Sequence, residues 1–229
     1  MTDPHAKLLD AAARVYGELG FRGATTRRIA DEAGVNEITI FRHFGSKEAL
    51  INEAIKCHAF RPVLPELPEV PQDPAAELSA WCKALLVHLS DARLLIRRMM
   101  SEQEERPEVV PCVGDGPRYA THRLRAYVAQ LERRGFLTPR TTAGRRNGEG
   151  RPPAGAASDV GADVAAGVSM LMSALFADAM GREMMPDVYP QPAERAAAAY
   201  VSLFLRALGV RQSPATPEGT APTSPRETA

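Results

Sequence analysis

Between Thr25 and Leu50 the chain reads TTRRIADEAGVNEITIFRHFGSKEAL, two short apolar-periodic segments parted by Gly34, Val35 and Asn36. Thr25 is placed to cap the first segment, because its hydroxyl can accept a backbone N–H that has no partner in the first helical turn. Ile29, Ala30 and Ala33 form the inner stripe of that helix. Gly34 stops it, and Asn36 is both a turn residue and an N-cap for the next. Two helices joined by so short a turn must cross steeply, which is the helix-turn-helix arrangement. In the second helix Ile40 and Phe44 face inward, four residues apart, and leave Glu37, Ile38, Thr39, Arg42 and His43 on the outer side and its flanks. Gly45-Ser46 then breaks the helix, and Ser46 caps a further one carrying Leu50, Ile51, Ala54 and Ile55. A protruding helix with its polar side outward suits a DNA groove.

The remainder reads as helix throughout. Leu8, Leu9, Ala12, Val15, Tyr16 and Leu19 trace one face of a first helix that Gly20 ends, with Phe21 packed beneath it. Pro62, Pro65, Pro68, Pro71 and Pro74 make residues 61–74 an extended connection. Apolar periodicity resumes over residues 75–89, 91–105 and 118–135, with a Pro/Gly loop over 106–117. Residues 138–157 have almost no apolar bulk and read as a flexible loop, and the Pro-rich residues from 212 to 229 read as a disordered tail. The helices expected over 159–185 and 193–208 are apolar around more of their circumference than one wet face allows. The expectation is an all-α chain of about nine helices. It divides into a DNA-binding domain over 1–50, a helical regulatory and dimerisation domain over 51–211, and the tail.

Composition excludes several alternatives. Lys+Arg and Asp+Glu both total 28, so the whole chain has no basic excess to draw it onto nucleic acid. Over residues 1–60 the charges balance as well, so DNA affinity has to come from their placement. No run of about eighteen apolar residues without charge appears, so neither a membrane span nor a signal peptide is expected and the location is expected to be cytoplasmic. Cys57, Cys82 and Cys112 are scattered and form no CxxC pair. Cys57-His58 is adjacent in sequence, and Cys82 and His88 fall on different sides of one helix, so no metal site is expected. No cofactor is expected either. Nucleophile-elbow, zinc-protease and phosphate-loop motifs are lacking, and no enzymatic activity is expected.

The stretch GFRGATTRRIADEAGVNEITIFRHFGSKEALI, preceded by one helix and followed by a divergent helical region, resembles the TetR family of bacterial transcriptional regulators. The likeness covers about Leu8 to Ile55 and rests on Gly20-Phe21, Thr25-Thr26, Ile29-Ala30, Ala33-Gly34-Val35, Thr39, His43-Phe44 and Ser46-Lys47-Glu48. It implies a homodimer whose recognition helices enter successive major grooves of a roughly palindromic operator, with half-sites about one helical turn, ~34 Å, apart. It also implies that Arg27 reaches a base, that Thr26 and Lys47 hold phosphate, and that Glu37, Ile38, Thr39, Arg42 and His43 lie on the recognition helix. Arg42 suits guanine, Glu37 cytosine N4 and Ile38 a thymine methyl. Glu37 equally suits the positive end of a helix with no DNA role, and Arg28 reads as solvated. Phe41 stands where the family usually has a phosphate-bonding tyrosine, so that bond is absent here.

The resemblance assigns the last two helices to a dimer interface and the helices before them to a pocket for a small, mainly apolar effector. Candidates for its lining are Trp81, Leu85, His88, Met99, Met100, Tyr127, Met170, Met172 and Phe176, each of which also reads as ordinary core. The function implied is a ligand-released repressor. The alternative is a DNA-binding or structural protein without an effector, whose helical region serves dimerisation or a protein partner.

Overall fold

A computed structural model of the 229-residue chain describes residues 3–59, 64–105, 115–137 and 156–210. Among the described residues there are nine helices and no strand, in the order α1 (Pro4–Gly23), α2 (Thr26–Ala33), α3 (Ile38–Phe44), α4 (Lys47–Ala59), α5 (Pro74–Asp91), α6 (Arg93–Glu105), α7 (Asp115–Arg133), α8 (Ala156–Gly181) and α9 (Ala193–Ala207). The loop expected over 138–157 lies outside the described residues except for Ala156 and Ala157, which begin α8. The tail from 212 lies wholly outside them.

Local signals account for the boundaries. The Asp3 carboxylate accepts from His5 N–H and Pro4 opens α1, where its missing N–H costs nothing. Gly20 takes φ +68 and turns the last residues of α1 out of line. Thr25 accepts from Arg28 N–H, and Gly34 closes α2 in the left-handed conformation that glycine adopts without strain. The Asn36 side chain accepts from Ile38 N–H at 3.0 Å, and Ser46 Oγ from Ala49 N–H at 3.1 Å. Residues 64–73 are non-helical as the prolines require, and Asp73 caps α5. Glu77 reaches back to that entry, accepting from Gln72 N–H at 2.8 Å and Asp73 N–H at 2.9 Å. Several boundaries differ from expectation, α1 running on to Gly23 and α8 starting at Ala156 among them. α7 starts three residues early, because Pro117 is tolerated in a first helical turn. α8 stops at Gly181, where the chain turns and Met185 N–H bonds back to the Gly181 carbonyl.

The helices share out between two cores. One joins α1 to α4 with α6, through Leu8, Tyr16, Ile29, Ile40, Leu50, Ile55, Leu95 and Met99. The other joins α5, α7, α8 and α9, through Leu78, Trp81, Leu86, Leu124, Leu131, Val168, Leu175 and Val201. Each fully buried aliphatic side chain contributes roughly 1.5–3 kcal/mol. α6 therefore belongs to the core of the N-terminal helices, although it follows α5 in sequence.

Residues Asp163–Gly181 of α8 are long and apolar enough to cross a membrane by length and composition, with mean hydropathy 1.5. The stretch contains Asp163 and Asp178, so it is not the uncharged apolar run whose absence the sequence shows. The helix packs on α5, α7 and α9, and the carboxylate of Asp178 within it is fully buried and paired with Arg182. Those are the surroundings of a core helix.

Candidate functional site

α3 is seven residues long and held from below by Ile40, which is fully buried. Its outer side presents Ile38, 73% exposed, and Phe41, 51% exposed. Arg27, Arg42 and His43 are exposed beside them, and Thr39 is half-buried. Ile38 and Phe41 thus form a small apolar patch among polar side chains on the outer side of α3.

The two helices are pinned across their turn, where Thr26 Oγ1 donates to Glu37 Oε1 at 2.5 Å. That bond brackets α2 to α3 through Glu37 Oε1 and leaves Oε2 as a second acceptor. Lys47 Nζ donates to the Phe21 carbonyl at 3.0 Å and lies 3.9 Å above the Phe21 ring. An ammonium has three N–H donors, so this bond aims Lys47 and leaves others for a phosphate. His5, which carries no signal in the sequence, stacks on Phe44 at 4.7 Å and approaches His43 edge-on at 6.0 Å. The N-terminus of α1 thereby braces the end of α3.

Charge placement resolves the neutral sum of this region. Asp10 pairs with His58, Glu32 with Arg14 and Glu53 with His5, while Glu37 turns toward Thr26. These exposed pairs contribute little energy, ~0–1 kcal/mol each. They engage carboxylates of α1, α2 and α4, while Arg27 and Arg42 stay exposed. Arg28 does not simply reach into solvent; its Nη1 donates to the Gly23 carbonyl at 3.4 Å.

A second feature is a cavity of about 560 Å³ among α5, α6, α7 and α8, roofed at one end by Ala59. Leu85, His88, Met99, Met100, Met172 and Phe176 line it, and among the described residues no Lys, Arg, Asp or Glu does. Its polar groups are His88, Thr121 and Ser173. Three expected lining residues are elsewhere, which corrects that expectation. Trp81 and Tyr127 are buried in the second core, and the Tyr127 hydroxyl is used by Glu77. Met170 is 73% exposed, because it stands two positions before Met172 and is turned about 200° from it around α8.

His88 Nε2 sits 3.4 Å from the Ala59 carbonyl. Burial lowers its pKa from the ordinary 6.5, and the Ala59 hydrogen bond opposes that shift without cancelling it. The folded protein thus resists a proton that the unfolded chain accepts. Stability is expected to fall as pH drops through about 6.5 and below, and thermal melts at stepped pH should show His88→Gln losing less than the parent. A more open cleft of about 970 Å³ lies on the other side of His88, with Asp10, Arg14, Glu18, Lys83 and Asp91 in its walls. Cys57 and His58 are also there, His58 Nε2 being 3.2 Å from Asp10 Oδ1.

Met170 on α8 and Leu203 on α9 are exposed, as are Met184 and Val188 in the connection between the two helices. Arg182 grips Asp178 through two bonds of 2.7 and 2.6 Å, and Tyr200 donates to the same carboxylate at 2.9 Å.

Residues 8–54 match the family model described as bacterial regulatory proteins, tetR family. The same region is 37% identical over 59 residues to the uncharacterised HTH-type transcriptional regulator YvkB of Bacillus subtilis, covering 26% of this chain and 31% of that one. It is 42% identical over 50 residues to the HTH-type transcriptional repressor KstR2 of Rhodococcus jostii, covering 22% and 24%. The match therefore spans less than a third of these curated relatives. Over the whole length the fold is that of SmeT in its complex with triclosan, with TM-score 0.66 and 20% identity over 97% of this chain and 99% of that one.

Proposed function

We propose that this chain, whose residues 8–54 match the TetR family model, is a cytoplasmic, ligand-responsive repressor, without enzymatic activity, that binds a roughly palindromic operator as a homodimer. The observation that carries the reading is the α3 surface. Ile38 and Phe41 stand exposed between Arg27, Arg42 and His43 on a helix whose position is fixed by buried Ile40 and by the bond from Thr26 to Glu37. Arg42 suits a guanine edge and Ile38 a thymine methyl, while Lys47 and the backbone side of α2 suit phosphate. Thr39→Ala and Lys47→Ala are each expected to weaken operator binding about tenfold with the helical content intact. Unchanged gel shifts would remove those residues from the interface.

The exposed apolar residues of α8 and α9 support the homodimer. Light scattering on the purified protein is expected to give twice the mass of one chain, and a stable monomer would contradict this.

The cavity supports an effector that is small and mainly apolar. The described wall carries no charged side chain to offset the desolvation of an ion, whereas His88, Thr121 and Ser173 can orient a neutral molecule through one or two hydrogen bonds. Such a ligand releases DNA only by binding better to a conformation in which the recognition helices are misplaced. α4 runs from the recognition unit to Ala59 at the cavity, so its tilt is one route for that effect.

A further inference from the structure

α6 faces two sites at once. Ile96, Met99 and Met100 stand in the cavity wall, while Arg98 and Glu102, on the same helix, meet the end of α1. At that meeting the chain leaves the α1 axis through Gly20, whose φ of +68 turns the Phe21 peptide toward α6. The approach is so close that a Cβ on Gly20 would stand 2.6 Å from Glu102 Oε1. Phe21 N–H donates to Glu102 Oε1 at 2.7 Å, and Arg98 Nη2 donates to the Glu18 carbonyl at 3.1 Å. The other end of the Phe21 unit is held from the DNA side, since its carbonyl accepts from Lys47 Nζ and its ring lies under the same ammonium. One residue of α1 is thus gripped by α6 through its amide and by the first residue of α4 through its carbonyl and ring.

We propose that Glu102 is a positioning residue for DNA binding: by holding the Phe21 amide it fixes the carbonyl and ring that aim Lys47, so α6, which walls the cavity, acts on the recognition unit through α1. The inference rests on the reading of this chain as a DNA-binding regulator. The link is separate from the direct run of α4 between cavity and recognition unit, and it gives a displacement of Met99 or Met100 a second path to the DNA-contacting side. The surroundings suit a fixed joint. Tyr16, fully buried next to this contact, has its pKa raised by burial first and by the Glu102 carboxylate second, so its hydroxyl stays neutral.

The test is a double-mutant cycle with the full-length chain and a duplex recovered by selection from random DNA, read as operator Kd. Glu102→Ala is expected to weaken binding about tenfold, while Glu102→Gln stays within about twofold because its amide oxygen still accepts from Phe21 N–H. In a Lys47→Ala background the further loss from Glu102→Ala is expected to shrink to under about twofold, since both act through one contact. Amide exchange at Phe21 should accelerate about tenfold in Glu102→Ala and not in Glu102→Gln. Glu102→Met, of similar length but without oxygen, serves as the second variant and should behave as the alanine does even if the alanine variant folds poorly. Additive losses in the cycle, or unaltered binding by both Glu102→Ala and Glu102→Met, would overturn the proposal alone. A wild-type chain that selects no duplex would instead overturn the DNA-binding reading and this proposal with it.

Discussion

Replacing Asp178 by alanine is expected to destabilise the protein by about 3 kcal/mol, toward the lower end of what breaking a buried ion pair costs. The carboxylate is fully buried, takes two bonds from Arg182 and a third from the Tyr200 hydroxyl, and is the only buried charged residue among the described residues. Without it the Arg182 guanidinium keeps its bonds to the Tyr189 and Gln191 carbonyls but loses its counter-charge, and Tyr200 loses its acceptor. The side chain of Arg182 is 23% exposed, and partial hydration of the stranded cation keeps the loss from being larger. Tyr200, pushed up to about 12 by burial first and the Asp178 bond second, should titrate closer to its ordinary range of about 10 in the variant. The network ties the end of α8, the connection after it and α9 into one piece, which is the pair of helices proposed to dimerise. Chemical denaturation at fixed protein concentration checks the loss, and a cost below about 1 kcal/mol would show that the network is not what orders this end.

Trp81→Ala is expected to cost about 3–5 kcal/mol, the usual penalty for deleting a large buried aromatic. Trp81, on α5, is fully buried in the second core and is not among the residues that line the cavity. Binding of a neutral apolar dye in the cavity should therefore persist in the folded variant, whereas Phe176→Ala, which alters the wall itself, should change it. Trp81 is the only tryptophan in the chain, so unfolding has to be followed by circular dichroism. A stable Trp81→Ala protein that had lost dye binding would place the residue in the cavity after all.

Trp81 also shows where sequence reasoning stops. It lies one turn before Leu85 and only about 40° around α5, yet Leu85 lines the cavity and Trp81 does not. Periodicity says that both face inward but not which of two neighbouring interiors receives each. Tyr127 was misplaced for a further reason, since the Glu77 that uses its hydroxyl comes from a helix 50 residues away. The helix-turn-helix was legible because its signals are local: Thr25, Gly34, Asn36 and Ser46 each act on backbone groups within a few residues of themselves. The exposure of Ile38 follows from the same spacing, whereas Phe41 entered only through the family resemblance. The bracket from Thr26 to Glu37 was less visible, because it needs the crossing of the two helices as well as their existence. The contact of Glu102 with Phe21 joins residues 81 apart and carries no pattern at all in the sequence. The two apolar sides of α8 were visible as composition, but only packing separates the side facing α5 from the side that carries Met170.

The central claim is that the α2–α3 surface reads DNA as one half of a two-fold pair, and selection from a pool of random duplexes by the full-length protein tests it most directly. The predicted result is one enriched motif with two inverted half-sites whose centres lie about one helical turn, ~34 Å, apart, bound by two chains. Enrichment of no motif, or of an unsymmetrical motif bound by a single chain, would contradict it.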